Sequence, residues 1–271
     1  MAIVIDGYPN EIQALLFDMD GVLWKEETPI GDLAAFFSAL RARHLLYGFI
    51  TNNGSKSILT YQKKLMDFGV PCDLKFILNS GEATAFLLEQ RFPDGGPVYI
   101  VGESGLIDTL AAHGFMHSDD PNTLVLAVVV GLDRAFNYEK IRRAADYIRS
   151  GIPFYGTNGD KTLPYPNGEV PGAGCMLAAI EAASGVTPLI AGKPEPLLFE
   201  MMLSRMGVAA QNALVIGDRL ETDILGGIHA GCPTLLVLSG ISTLPSIDQM
   251  DIHPSLVLQD IHELLGYLHG K

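Results

Sequence analysis

Residues Ala14–Trp24 read ALLFDMDGVLW. Four apolar residues in a row suit a buried strand, yet the run ends on Asp18 and Asp20. A carboxylate inside a core is costly unless it is paired. The end of this strand is therefore expected to be where the chain leaves the core. Side chains two apart on an extended segment point the same way, so Asp18 and Asp20 are expected to reach one ligand together.

Outward from this stretch, β-like runs alternate with helical patterns. The runs Ala14–Phe17, Leu45–Ile50, Val98–Val101, Ile152–Gly156, Leu189–Ala191, Ala213–Ile216 and Thr234–Leu238 read as strands. Thr123–Val130 (TLVLAVVV) reads as one fully buried strand. Leu33–Arg43, Ser57–Phe68, Ala83–Gln90, Leu106–Ala112, Tyr138–Ser150, Met176–Ala183, Pro196–Met206 and Asp223–Ala230 read as helices. Thr157–Gly174 reads as a long Gly/Pro-rich loop. Such alternation predicts an α/β protein with parallel sheets covered by helices.

The 271 residues, 48% of them hydrophobic, suffice for one large core or two smaller ones. The net charge of −13 argues against nucleic acid and anionic membrane as partners. Cys72, Cys175 and Cys232 form no C-x-x-C pair, so they suggest neither a disulfide frame nor a zinc site, but free thiols in a reducing compartment. The amino-terminal MAIVIDGYPNEIQ has no basic start and no cleavable apolar segment. A cytoplasmic protein, monomer or homodimer, is the expectation.

In parallel α/β sheets, functional residues gather beyond the carboxyl ends of the strands. The polar residues that follow the β-like runs are Asp18 and Asp20, then Thr51 and Asn52, then Lys193, then Asp218 with Asp223 close behind. One such aspartate is usually a helix cap. Brought together, Asp18, Asp20 and Asp218 would repel one another unless a proton or a cation sat among them. An all-oxygen donor set selects a hard ion, and Mg²⁺ suits a few carboxylates plus a phosphate oxygen. Lys193 with such an ion would bracket a phosphoryl group, and Thr51 with the N–H groups of Asn52 and Asn53 would bind its other oxygens.

DMDGV, TNNGS, GKPEP and GDRLETD stand in this order along the chain. They resemble the four motifs of the haloacid dehalogenase-like hydrolases, in the NagD-like branch (subfamily IIA) that carries a large C2-type cap. That resemblance implies a Rossmann-like core over about 1–80 and 184–271, and an inserted α/β cap over 81–183. It implies a Mg²⁺-dependent phosphatase of small phosphate monoesters such as sugar, glycerol, glycolate, nucleotide or aryl phosphates. Asp18 would be the nucleophile that becomes an aspartyl-phosphate, and Asp20 the general acid and base. Thr51 and Lys193 would hold the phosphoryl group. Asp218, an Asp18 oxygen and the Asp20 backbone carbonyl would ligate the metal, with Asp223 acting through water or Lys193. Asn158 and Asp160 would face the substrate from the cap, or else belong to a glycine-rich hinge. Alternatives are a phosphotransferase or phosphomutase on the same intermediate, and a non-catalytic phosphate- or sugar-binding regulator. Trp24 would pack beneath the cap or line the pocket mouth.

Overall fold

The structure, a computed structural model, describes residues 11–165 and 168–267. The amino-terminal reading and the centre of the 157–174 loop lie partly outside the described residues. In chain order the strands are β1 Ala14–Phe17, β2 Trp24–Lys25, β3 Thr28–Pro29, β4 Leu46–Thr51, β5 Ile77–Asn79, β6 Gly96–Val101, β7 Phe115–His117, β8 Val128–Val130, β9 Phe154–Gly156, β10 Thr162–Tyr165, β11 Gly168–Pro171, β12 Leu189–Ile190, β13 Ala213–Gly217, β14 Thr234–Val237 and β15 Leu256–Leu258. The helices are α1 Leu33–Ala42, α2 Ile58–Asp67, α3 Ser80–Arg91, α4 Ser104–Ala112, α5 Tyr138–Arg149, α6 Ala173–Ser184, α7 Leu197–Met206, α8 Leu225–His229 and α9 Leu244–Met250.

The chain divides into two compact units. The first holds residues 1–51, 58–78 and 193–271. Its six-stranded sheet has the order β15-β14-β13-β1-β4-β5. β1 pairs in parallel with β4 on one side and with β13 on the other. The direction in which strands are added reverses at β1, which makes the β1/β13 boundary the switch point where α/β sheets bind ligands. Phe17 sits in register with Ile216, so the residues that follow both strands emerge side by side. On one face Phe17, Phe36 and Phe37 meet edge to face, with Phe17 and Phe37 centroids 5.2 Å apart, and Phe49 packs tilted against Phe17 and Phe37. This aromatic core anchors β1 against α1.

The second unit holds residues 52–57 and 79–192. Its five-stranded sheet, β12-β9-β8-β6-β7, is parallel throughout. Alternate residues of β6 and β8 face opposite sides: Tyr99, Val101, Val128 and Val130 join one core, Val98, Ile100 and Val129 the other. The short 52–57 segment goes with this unit because Gly105 lies flat against Ser55. A Cβ on Gly105 would come within 2.2 Å of the Ser55 carbonyl oxygen. Among the described residues, no helix is long and apolar enough to cross a membrane.

Several expectations change. Of Thr123–Val130 only β8 is strand, and Leu124 is 81% exposed. The run starts in a turn, where the Thr123 N–H donates to Asp120 O, and it first bonds a neighbouring strand at Leu126, whose N–H donates to Pro97 O of β6 at 2.8 Å. The expected 157–174 loop contains the antiparallel hairpin β10–β11. The strand before Lys193 is not part of the first sheet. β12 pairs with β9, so Lys193 follows a strand of the second unit, and the division falls at 192/193, beside the expected 183/184. The expected Asp223–Ala230 helix is a π-helical turn, Leu220–Ile224, running into the short α8.

Candidate active site

In the first unit, Asp18 leaves β1 while still tied to the neighbouring strand, its N–H donating to Ile216 O at 2.8 Å. From Met19 the chain turns sharply, and the Met19 carbonyl accepts from Leu23 at 2.9 Å. Gly21 enables that turn with a φ of 85°. Extended alternation thus ends at Asp18, and the simple expectation for Asp20 is replaced by a turn geometry. The two carboxylates still act on one neighbour. Burial first, then Asp20 and Asp18, push the Tyr61 hydroxyl well above its ordinary pKa.

The Lys193 ammonium is buried and donates to Asp18 Oδ1 at 2.6 Å and to Asp223 Oδ1 at 2.5 Å. It also donates to the Ile50 carbonyl at 3.3 Å, one residue before Thr51 closes β4. Burial disfavours the charged lysine, but Asp18 and Asp223 outweigh it and hold its pKa above the usual lysine value. Asp223 Oδ2 accepts from the N–H groups of Asp218 at 3.2 Å and Arg219 at 3.1 Å. The π-helical turn delivers these contacts, since its wider path leaves the Asp223 side chain beneath the end of β13. π-Turns inside helices recur at functional sites for this kind of reason.

Asp18, Asp218 and Asp223 each offer a carboxylate oxygen, all within 4.8 Å of one another. Burial raises the Asp18 pKa well above the usual range, with Asp223 and Asp218 adding to it against Lys193. Burial and Asp223 push Asp218 up to about 7, against the Ile241 N–H that donates to its Oδ2 at 2.8 Å. Carboxylates so crowded repel, and a hard divalent cation relieves that repulsion. The all-oxygen donor set fits such an ion.

The loop after β14 supplies residues that motif reading missed. Ser239 Oγ donates to Gly21 O at 2.7 Å and Ser242 N–H donates to Asp218 O at 3.0 Å. Gly240 lies so close that a Cβ would stand 1.9 Å from Asp218 Oδ2. A Ser-Gly-Ile-Ser stretch resembles any surface turn, and only its position beside β13 reveals its role. Trp24, fully buried, donates its indole N–H to Asp20 Oδ1 at 2.8 Å, which no sequence pattern signals.

In the second unit, Asn52, Asn158 and Asp160 meet. Asn158 Nδ2 donates to the Asn52 carbonyl at 2.7 Å, and Asn52 Nδ2 donates to Asp160 Oδ2 at 3.1 Å. Ser80 Oγ donates to the same Asn52 carbonyl at 2.6 Å. Asn53 folds back on its own loop, Oδ1 accepting from the Ser55 N–H and Oγ. A small pocket beside this network is lined by Asn53, Leu106, Leu132, Thr157 and Leu163 among others.

A family model described as haloacid dehalogenase-like hydrolase matches residues 15–116, and a related HAD-hydrolase-like model matches 190–264. An acid sugar phosphatase of Staphylococcus saprophyticus is 32% identical over 256 residues, 94% of this chain and 98% of that protein. The 4-nitrophenylphosphatase of Thermotoga maritima superposes with a TM-score of 0.87 at 31% identity, over 94% of this chain and 97% of the other. NagD from E. coli K-12 superposes with a TM-score of 0.82 at 32% identity, over 93% and 98%. With four motifs in order and an Asp-Lys-Asp centre at the switch point of its first sheet, the chain belongs to the haloacid dehalogenase-like hydrolases, in their NagD-like branch.

Proposed function

We propose that this chain hydrolyses small phosphate monoesters, sugar phosphates foremost, through an aspartyl-phosphate on Asp18. The observation that carries this reading is the Lys193 ammonium clamped between Asp18 and Asp223 at the end of β1. That clamp holds the Asp18 carboxylate in one orientation and offers positive charge to an incoming phosphoryl group. An Asp18 oxygen forms a bond to phosphorus as the ester P–O bond breaks, and the Asp20 carboxyl gives its proton to the departing oxygen. Asp20, now a carboxylate, takes a proton from water as the water oxygen bonds phosphorus. The bond from phosphorus to Asp18 breaks, releasing inorganic phosphate and restoring Asp18. Thr51, at the end of β4, and Lys193 bind the non-reacting oxygens.

Mg²⁺ is the proposed cofactor, held by Asp18, Asp218 and the Asp20 backbone carbonyl. When bound, it would neutralise charge on the phosphoryl oxygens. Asp223 serves Lys193 and the backbone instead, because both its oxygens already accept hydrogen bonds. The first unit is read as the catalytic core and the second as the cap, with Asn52, Asn53, Asn158 and Asp160 as the cap's candidate polar residues. Free Cys72, Cys175 and Cys232 support a reducing, cytoplasmic setting.

The test is phosphate release from a panel of sugar, glycerol and aryl phosphates, with Mg²⁺ and with EDTA. Asp18→Asn is expected to be inactive on every ester while its circular dichroism matches the parent. A fully active Asp18→Asn variant overturns the covalent route.

A further inference from the structure

Trp24 is fully buried, yet its one polar group is spent on a carboxylate whose residue is exposed. An indole N–H can only donate, and a buried one needs an acceptor. Its acceptor here is Asp20 Oδ1 at 2.8 Å. The ring itself is held from several directions. Gly21 N–H donates to Trp24 O at 2.8 Å, closing the turn that carries Asp20. Trp24 pairs with Pro29 across the β2–β3 hairpin. Its ring lies 5.8 Å from that of Phe68, and the Lys64 ammonium stands 4.6 Å from its centroid. Lys64 is anchored in turn by the Glu26 carbonyl and by Glu27 at 3.4 Å.

An exposed carboxylate left to itself samples several rotamers, and catalysis by positioning loses steeply when a group wanders by about an ångström. We propose that Trp24 is a positioning residue: its indole N–H holds the Asp20 carboxyl in one rotamer and occupies Oδ1, so that the proton passed to the leaving oxygen is carried on Oδ2. Since the N–H cannot accept, Oδ1 stays the acceptor oxygen in both protonation states. The acid and the later base are thereby the same atom, and no rotation of the carboxyl is needed between the two steps. This rests on Asp20 being the acid and base of the proposed reaction.

Leaving groups separate a positioning role from packing. A 4-nitrophenolate departs without help from an acid, whereas the alkoxide of a sugar or glycerol phosphate needs the proton. The experiment measures single-turnover release of 4-nitrophenolate and of glycerol from the two esters, with Mg²⁺, for the parent, Trp24→Phe and Asp20→Asn. Trp24→Phe is expected to slow glycerol release about tenfold or more, part of the ~10²–10⁴-fold that a general acid contributes. Release of 4-nitrophenolate is expected to stay within about twofold, and KM for both esters to be unchanged. Because the chain has a single tryptophan, biosynthetic replacement by 3-benzothienylalanine removes the N–H while keeping the ring shape, and it serves where the phenylalanine variant fails to fold. Equal slowing of both esters, or slowing of neither, overturns the positioning role. If Asp20→Asn leaves glycerol release intact, the assignment of Asp20 as acid fails instead.

Discussion

Asp223 makes no direct claim on a phosphoryl group, yet it joins three parts of the centre. One oxygen neutralises Lys193 and the other gathers the Asp218 and Arg219 amides. Its neighbour Gly217 is glycine because a Cβ there would stand 2.1 Å from the Asp223 Cβ. Both charges are buried, so removing one leaves the other uncompensated. Asp223→Ala is expected to destabilise the fold by about 3–5 kcal/mol, read from urea unfolding. Asp223→Asn keeps the shape and the acceptor oxygen, and is expected to cost less. A loss under about 1 kcal/mol for the alanine variant would mean that Lys193 finds full compensation in Asp18 alone.

At the scale of elements, the 239–242 loop after β14 fixes Asp218, the proposed metal ligand. Gly240→Ala is expected to push Asp218 aside and raise the Mg²⁺ concentration for half-maximal activity about tenfold or more, as changes to partners of metal ligands do. A Mg²⁺ titration of phosphate release reads this, with thermal melting checking that the fold survives. How much was legible in the sequence follows from the same elements. β1 and β13 stood out because apolar runs ending on Asp18 and Asp218 combine a core pattern with a core violation. Lys193 stands out in the sequence as a candidate, but the strand before it reads as part of the first sheet and belongs to the second. β12 pairs over only two residues, and two residues carry no periodicity that names a partner. The Thr123–Val130 run reads longer than β8 because Thr123, Leu124 and Val125 continue its apolar pattern before the chain first bonds β6 at Leu126, and composition does not mark where pairing begins. Gly240, Ser239 and the Trp24 indole contact escaped because their roles are matters of distance, and ordinary turn residues carry no mark of it.

For the molecule as a whole, the crowded carboxylates link stability to pH and to metal. Asp218 is pushed up to about 7, and Asp18 is raised as well, whereas in an unfolded chain aspartates titrate near ~3.9. Between about 4 and 7 the folded protein therefore binds more protons than the unfolded one, and this contribution to stability fades as pH rises through that window. A divalent cation that binds only the folded, ionised cluster opposes the loss. The rise in Tm on adding Mg²⁺ to EDTA-treated protein is expected to be small at pH 5 and several degrees larger at pH 7.5. Asp218→Asn is expected to remove most of that difference. Equal gains at both pH values would show that the cluster is not where the cation acts.

The strand order also bears on how the chain is made. The second unit's sheet is built from β6 to β12, between Gly96 and Ile190, so every strand it needs leaves the ribosome within one continuous stretch. β1 is made near the start, but its partner β13 begins only at Ala213. Domains generally form as units while synthesis proceeds, so the inserted unit can close its sheet while β1 still has one free edge. Asp18 then waits through some two hundred residues of synthesis for Lys193, Asp218 and Asp223. A chain released before residue 193 would thus hold every strand of the second sheet yet lack Lys193, Asp218 and Asp223, and the carboxylate–lysine cluster assembles only as the last strands of the first sheet dock.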